Sequence, residues 1–548
     1  MILFTFLWLS SFSLPIFAQF LSDNPFVSSS FSNGPDSTFN TSGTMIQTGR
    51  TGVTAMHAVL LNENNILIID KAEWNEAQLD SGVSAYSCEY HIDTNTYRTL
   101  ALQTNTFCSA GGFLGNGTMI STGGAEGVGK WGLKAKKGHQ AVRHFEPCLN
   151  NTCEWQEYSA NRMTNDRWYP TVEQLPTGDL LILGGSTVGT KVNRDEINVP
   201  SYEFWPPRPS RGKVHFPFLE ATTMPYNLYP FVFLLPNGHL FIFASTKSII
   251  FDYENNVVVK ELPDLPGVPR SYPLTGGAVL LPLDPANDYQ AEILICGGSE
   301  RMNANSKADA TCGRINLDAP TPRWEMDTFV YPRLMPDGVL LADGSVAWVN
   351  GCQRGWAGYK QRNHDPTFTP VIYHPNHSLK HRWQTGLAET TIARMYHSVA
   401  LTLPDGRVWI AGSNNNDPPD VNAEYPTEFR VEYFSPPYLY QPSPARPLLS
   451  HVPPRWVYGA TVEFLVHLDA AHDEDIKVGL LRTGFSTHSL HMSQRYVFLE
   501  HTVAPHRQSI HVTAPPRPTL FPPGKGFLYI IHGGVPSKGV EVDIQLSE

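Results

Sequence analysis

Recurrent tight-turn signals, double glycines and an alternating C-terminal segment predict an all-β protein: a seven-bladed β-propeller followed by an immunoglobulin-like β-sandwich. The turns are Asn64-Asn65, Asn116-Gly117, Thr177-Gly178, Asn237-Gly238, Asp343-Gly344 and Asp405-Gly406. Each precedes a short apolar strand, such as Ile66-Leu67-Ile68 or Thr118-Met119-Ile120. Asn-Gly and Asp-Gly between apolar runs signal hairpins, because residues that tolerate positive φ close tight turns. Strands end in Gly123-Gly124, Gly184-Gly185 and Gly297-Gly298, and the last pair marks a seventh unit, Ile293-Leu294-Ile295-Cys296, without a tight turn. Units recur roughly every 50–60 residues, the kelch-like range, with room for four strands each. A ring of seven leaves only short, protected edges.

The remaining elements follow in chain order. Met1 to Phe17 is almost wholly apolar and Ala18 precedes Gln19, so residues 1–18 read as a secretory signal peptide, though one without an early basic residue. Its shortness and Pro15 argue against a membrane anchor. Residues 19–440 then hold the propeller. Prolines cluster across 436–454 as a linker, and strands such as Val462-Glu463-Phe464-Leu465-Val466 and Leu528-Tyr529-Ile530-Ile531 make residues 441–548 one sandwich.

Composition agrees with this division. A chain of 548 residues exceeds one compact core, and 41% hydrophobic against 17% charged residues is the balance of a folded protein. Its 45 prolines and 43 glycines suit short strands joined by tight turns. A net charge of -11 without a basic patch excludes nucleic acid and anionic membranes as partners. The apolar run 228–251 is broken by Pro236-Asn237-Gly238, and the chain ends in polar residues, so no later membrane span or lipid-anchor signal is expected. The expectation is a secreted, extracellular monomer. Sequons at Asn40, Asn116, Asn150 and Asn376 fit export. Among seven cysteines, Cys148 and Cys153 close a small loop, while Cys88, Cys296, Cys312 and Cys352 supply two further bridges of open connectivity. Cys108 is left over.

One offset carries the chemistry. Nine residues before the turn glycine stand Cys108, Tyr169, Tyr229 and His397, counted from Gly117, Gly178, Gly238 and Gly406. In a repeat, equal offset means equal place, so a thiol, phenols and an imidazole gather at one level of the ring. Tyr396 adjoins His397. Two phenolates with two imidazoles suit tetragonal Cu(II), whereas thiolate-rich sets select zinc or Cu(I) and all-oxygen sets calcium or magnesium. The propeller offers Tyr169, Tyr396 and His397; the C-terminal run Thr487-His488-Ser489-Leu490-His491 offers the second imidazole. On a regular strand Tyr396 and His397 point to opposite faces, so both reach one ion only if the strand starts irregularly. His57 lies near the axis as a hydrogen-bonded core residue. The segment Asn350-Gly351-Cys352-Gln353-Arg354-Gly355-Trp356 is a candidate for the substrate mouth. No carboxylate pair stands at the repeat positions, which argues against a hydrolase.

Four stretches, in this order, resemble the galactose oxidase-type copper radical oxidases, and most closely the glyoxal oxidases. They are Thr106-Phe107-Cys108 with Gly115-Asn116-Gly117 and Thr122-Gly123-Gly124; Arg167-Trp168-Tyr169-Pro170-Thr171; Arg394-Met395-Tyr396-His397-Ser398 with Leu403-Pro404-Asp405-Gly406-Arg407-Val408; and Thr487-His488-Ser489 with Gln494-Arg495. The resemblance implies a thioether bond from Cys108 Sγ to the Tyr169 ring. It further implies that Tyr169 is an equatorial ligand of one copper ion and stores an oxidising equivalent as a tyrosyl radical. His397 and His488 are then the other equatorial protein ligands and Tyr396 the axial one. The same resemblance selects Tyr169 over Tyr229 and His488 over His491.

The implied reaction oxidises small aldehydes, as hydrates, to carboxylic acids and reduces O2 to H2O2, which peroxidases consume downstream. Two departures point away from galactose. Gly184-Gly185-Ser186 is followed by Thr187, where galactose-oxidising relatives carry a tryptophan over the modified tyrosine, and no room precedes the first repeat for their N-terminal carbohydrate-binding domain. What covers Tyr169 is left open, with Trp168 adjacent. The alternatives are an alcohol oxidase of the same superfamily and a non-redox carbohydrate-binding kelch propeller.

Overall fold

Each turn signal closes a hairpin within one antiparallel sheet. Asn116-Gly117 joins Ala110–Phe113 to Met119–Thr122, and Asp405-Gly406 joins Ser398–Thr402 to Val408–Gly412. The turn glycines 117, 178, 238, 344 and 406 all take φ between 85° and 91°, a region open to glycine and costly to residues with a Cβ. The computed structural model describes residues 40–129, 133–189, 192–209, 211–220, 222–442, 444–468 and 475–546. The expected signal peptide, 1–18, lies outside them. Among the described residues there are strands and short 3₁₀ turns but no α-helix, and no helix is long and apolar enough to cross a membrane.

Seven blades result. Blade one comprises His57–Leu60, Asn65–Ile69, Ser87–His91 and Thr96–Thr99. Blades two to five repeat that order from inner strands Ala110–Phe113, Thr171–Gln174, Phe231–Leu234 and Gly276–Leu280. Blade six begins at Asp337–Leu340 and carries an extra hairpin, Cys352–Gly355 with Asn363–Pro366, between its second and third strands. Blade seven begins at Ser398–Thr402 and takes its outer strand from the other end of the chain, where Thr44–Arg50 pairs with Arg430–Ser435. That pairing closes the ring.

Buried arginines tie blades three, five, six and seven together where the second strand ends. Arg167 donates to the carbonyls of Gly184 (2.7 Å) and Ser201 (3.0 Å) and to Glu203 (2.8 Å). Arg394 does the same in blade seven, to Gly412 (2.8 Å), Arg430 (3.0 Å) and Glu432 (2.7 Å). Arg270 and Arg333 cap blades five and six through backbone carbonyls of Gly297 and Asn350. A buried guanidinium is tolerated because its donors meet fixed acceptors.

After a turn at Pro437–Tyr440 the chain builds two facing sheets. One holds Leu448–Ser450, Thr461–His467, Ser509–Thr513 and His501–Val503; the other centres on Ile476–Arg482 and Gly524–His532. Buried residues alternate with exposed ones along Thr461–His467, so Phe464 and Val466 meet Leu480 and Ile530 in one core. One hairpin leaves this sandwich. Phe485–Thr487 and Leu490–Met492 join the inner edge of blade one, with Thr487 opposite His57. The C-terminal region thus enters the propeller.

Disulfides join Cys148 to Cys153 and Cys296 to Cys312, the latter across neighbouring strands of blade five. The expected second bridge among the remaining pair does not form. Cys88 and Cys352 are separately buried thiols, on blade one and blade six, with Cys88 donating to Thr51 O at 3.2 Å.

Candidate metal centre

The inner strands converge on the axis, and in five blades a residue one or two positions before the strand is delivered there. Cys108, Tyr169, Tyr229, Met335 and His397 hold this place in blades two, three, four, six and seven. All five have left-handed backbone, with φ of 56°, 61°, 47°, 57° and 63°. Such a conformation costs a residue with a Cβ on the order of 1–3 kcal/mol. Bonds between blades hold it: the Tyr169 N–H donates to the Cys108 carbonyl, and the Tyr229 N–H to that of Tyr169, each at 3.1 Å. The kink also resolves the Tyr396-His397 problem. Instead of diverging, the two rings stack with centroids 3.7 Å apart and planes 28° from parallel.

His488 arrives by the hairpin from the sandwich. The two-residue loop His488-Ser489 has φ of 48° and 69°, the positive pair of a type I′ turn that Asn-Gly would adopt more easily. The Thr487 hydroxyl donates to Met56 O (3.1 Å) and so accepts from His488 Nδ1–H (2.6 Å). His488 Nε2 is left as the bare nitrogen, 3.5 Å from Cys108 Sγ.

These residues form one buried cluster. The Tyr169 and Tyr396 hydroxyl oxygens are 2.7 Å apart, and the His397 and His488 ring centroids 4.7 Å apart. Ligating atoms of Cys108, His397 and His488 lie within 4.8 Å of one another. Burial lowers both histidines well below the usual imidazole value, which keeps them neutral and ligand-ready. Burial also raises Tyr169 and Tyr396 well above the usual phenol value, whereas a cation between them acts in the opposite sense. Both ring nitrogens of His397 are buried without a partner. An orphaned imidazole beside two phenols and a second bare nitrogen fits a tetragonal Cu(II) ion.

The neighbours that share sequence features with the cluster are otherwise engaged. Tyr229 donates its hydroxyl to Ser109 O at 2.7 Å. His491 Nε2 faces Asp337 Oδ1 at 3.1 Å. His57 bonds Ile69 O through Nδ1 at 3.0 Å, and burial lowers its pKa to about 4.

Three aromatic residues that the offset does not reach complete the surroundings. Tyr272 lies flat on the Tyr169 ring, centroids 4.1 Å apart at 26°, while Trp168 meets it edge-on at 4.0 Å. Arg270-Ser271-Tyr272-Pro273 repeats the pattern of Arg167-Trp168-Tyr169-Pro170, a signal that could have located Tyr272. Tyr359 comes from the hairpin inserted in blade six and packs edge-on against Tyr396 (5.5 Å) and His397 (5.2 Å). Residues 350–356, the candidate mouth, include the first strand of that hairpin. Gln353 and Arg354 on that strand are exposed, and the residue beyond it, Tyr359, meets the cluster.

Comparison with known proteins gives the family. Residues 56–438 match the glyoxal oxidase N-terminus model, and residues 446–544 match the galactose oxidase-like early set domain. The chain belongs to the glyoxal oxidase family. It is 36% identical over 520 residues to "Aldehyde oxidase GLOX" of Vitis pseudoreticulata, covering 89% of this chain and 94% of that one. It is 35% identical over 542 residues to "Aldehyde oxidase GLOX1" of Arabidopsis thaliana, covering 90% and 83%. A fungal alcohol oxidase solved in complex with copper shares the fold, with a TM-score of 0.71 at 18% identity over 92% of this chain and 99% of that one.

Proposed function

We propose that this protein is a secreted copper radical oxidase that converts small hydrated aldehydes to carboxylic acids: RCH(OH)2 + O2 gives RCOOH + H2O2. The observation that carries the reading is the meeting of Tyr169, Tyr396, His397 and His488 beside Cys108, from three blades and the sandwich. The names of the plant relatives support the aldehyde as substrate. Exposed sequon asparagines at 40, 116, 150 and 376, with two disulfides, support an extracellular site of action.

In this reading Tyr169, Tyr396, His397 and His488 would hold one copper ion, which when bound would supply a one-electron acceptor and a Lewis acid for a substrate oxygen. Tyr396 Oη, 2.7 Å from Tyr169 Oη, receives the substrate hydroxyl proton. Tyr169, joined through its ring to Cys108 Sγ and oxidised to a radical, takes the hydrogen atom from the reacting carbon. Tyr272 and Trp168 exclude water from that ring, the role left open by Thr187. Two electrons and two protons leave the substrate and pass to O2. A non-redox carbohydrate-binding propeller gives no use to the two orphaned nitrogens of His397.

The test is copper stoichiometry and peroxide yield on copper-loaded protein with paired small aldehydes and alcohols. One copper per chain and aldehyde-dependent peroxide are expected. Peroxide from alcohols alone would replace the substrate class, and a chain that holds no copper would end the proposal.

A further inference from the structure

Tyr359 is held with unusual thoroughness for a loop residue. Its neighbour Lys360 donates a backbone bond to Asn415 O (2.9 Å), and Ala357 donates one to Pro273 O (2.8 Å). Asn363 Nδ2 closes the loop internally on Gly358 O at 2.9 Å. The hairpin tip is thus pinned between the stretch after Tyr396-His397 and the stretch bearing Tyr272. From blade one, Lys71 Nζ sits over the Tyr359 ring, 4.8 Å from its centroid, and is fixed by Asp417 at 2.7 Å. Four blades fix one ring.

Yet the Tyr359 hydroxyl is shielded from solvent and has no hydrogen-bond partner. Leaving a buried hydroxyl unpaired costs free energy, so a rigidly built orphan beside a ligand cluster reads as a group reserved for a ligand. A hydrated aldehyde and a primary alcohol both carry one hydroxyl on the reacting carbon. The hydrate alone carries a second. Trp168 Nε1 is a second buried donor without a partner at the same cluster.

We infer that Tyr359 is a specificity-determining residue whose hydroxyl binds the second hydroxyl of the hydrated aldehyde. It favours hydrates over primary alcohols at the same carbon. The inference rests on the reaction under Proposed function and names how that site tells its substrates apart. It assigns Tyr359 no proton or electron transfer; the residue binds and orients. Lys71 and Asp417 position the ring.

The test compares wild type with Tyr359→Phe, which keeps the ring and its packing. Copper content and the 2 Da loss of the Cys108–Tyr169 link should be unchanged. The aldehyde-to-alcohol ratio of kcat/KM should fall by about 10-fold, the scale of one buried hydrogen bond. Equilibrium binding supplies a readout independent of turnover: titration of the visible copper spectrum with a fully hydrated perfluorinated ketone, which has two hydroxyls and no C–H to oxidise, against a perfluorinated tertiary alcohol with one. The wild type should bind the diol more tightly by a similar factor, and Tyr359→Phe should lose that preference. Equal ratios in both proteins, in turnover and in binding, would overturn the inference. Absence of peroxide from every aldehyde would instead sink the proposed reaction, and the diol preference would still judge Tyr359.

Discussion

Tyr169 and Tyr229 occupy the same place in adjacent blades. Both are fully buried, both precede proline, both have left-handed backbone, and each donates its N–H to the carbonyl of the preceding blade's axial residue or its equivalent. They differ in where the hydroxyl ends. Tyr229 is spent on Ser109 O, a bond that only holds structure, while Tyr169 meets Tyr396 Oη. The axial kink is therefore a property of the fold, which Met335 also adopts with neither a phenol nor an imidazole. Chemistry arises only where side chains from separate elements are left facing one another.

The sharpest way to break this contrast is to remove the two hydroxyls separately. Tyr169→Phe should abolish peroxide formation and the optical absorption of the oxidised protein, measured with copper bound. Tyr229→Phe should retain both and lose about 1–3 kcal/mol of stability, because the Ser109 carbonyl is left unpaired. If Tyr229→Phe instead behaves as Tyr169→Phe, the assignment of blades is wrong.

His488 and His491 repeat the contrast three residues apart on one hairpin. His488→Ala should strip copper, since one imidazole of an incomplete set remains. His491→Ala should keep it, because that ring is committed to Asp337. Metal analysis of the two purified variants decides between them, and the reverse order would reassign the hairpin.

A smaller loss is expected from Tyr396→Phe. Copper and the Cys108–Tyr169 link should survive, while turnover drops by about 10²–10⁴-fold, the usual contribution of a positioned base. Unchanged turnover would remove Tyr396 from proton transfer.

The mildest effect comes from His57, at the axial end of blade one. Its folded pKa of about 4 lies below the ordinary 6.5, so the unfolded chain binds the extra proton between those values. Stability is fully present above pH 6.5 and falls as pH drops towards 4, by up to about 3 kcal/mol. Denaturant melts of metal-free protein across that window should show the slope, and His57→Gln should reduce it, leaving the part owed to His397 and His488, which burial also holds neutral.

Much of this was legible because turns and offsets are local. Five turn glycines repeat one φ, and the residue nine positions earlier reaches the axis in each such blade. Less legible were contacts that depend on insertion and long-range meeting. Tyr359 sits in a hairpin peculiar to blade six, with no repeat offset to point at it. Cys88 and Cys352 lie on different blades, and no sequence spacing reveals that their thiols are buried apart. The His488-Ser489 turn is hidden for another reason: its positive φ values suit Asn-Gly, and local propensity would not place a histidine there.

The hairpin from the sandwich also sets the timing of assembly. Cys108, Tyr169, Tyr396 and His397 are all synthesised before Phe485–Thr487 and Leu490–Met492, the strands that carry His488 to the axis. In the proposed reading a nascent chain cannot complete its copper site until this hairpin has been made and paired with blade one. No fragment that ends before His488 carries all the residues proposed to hold copper, so in that reading the centre is completed late in synthesis.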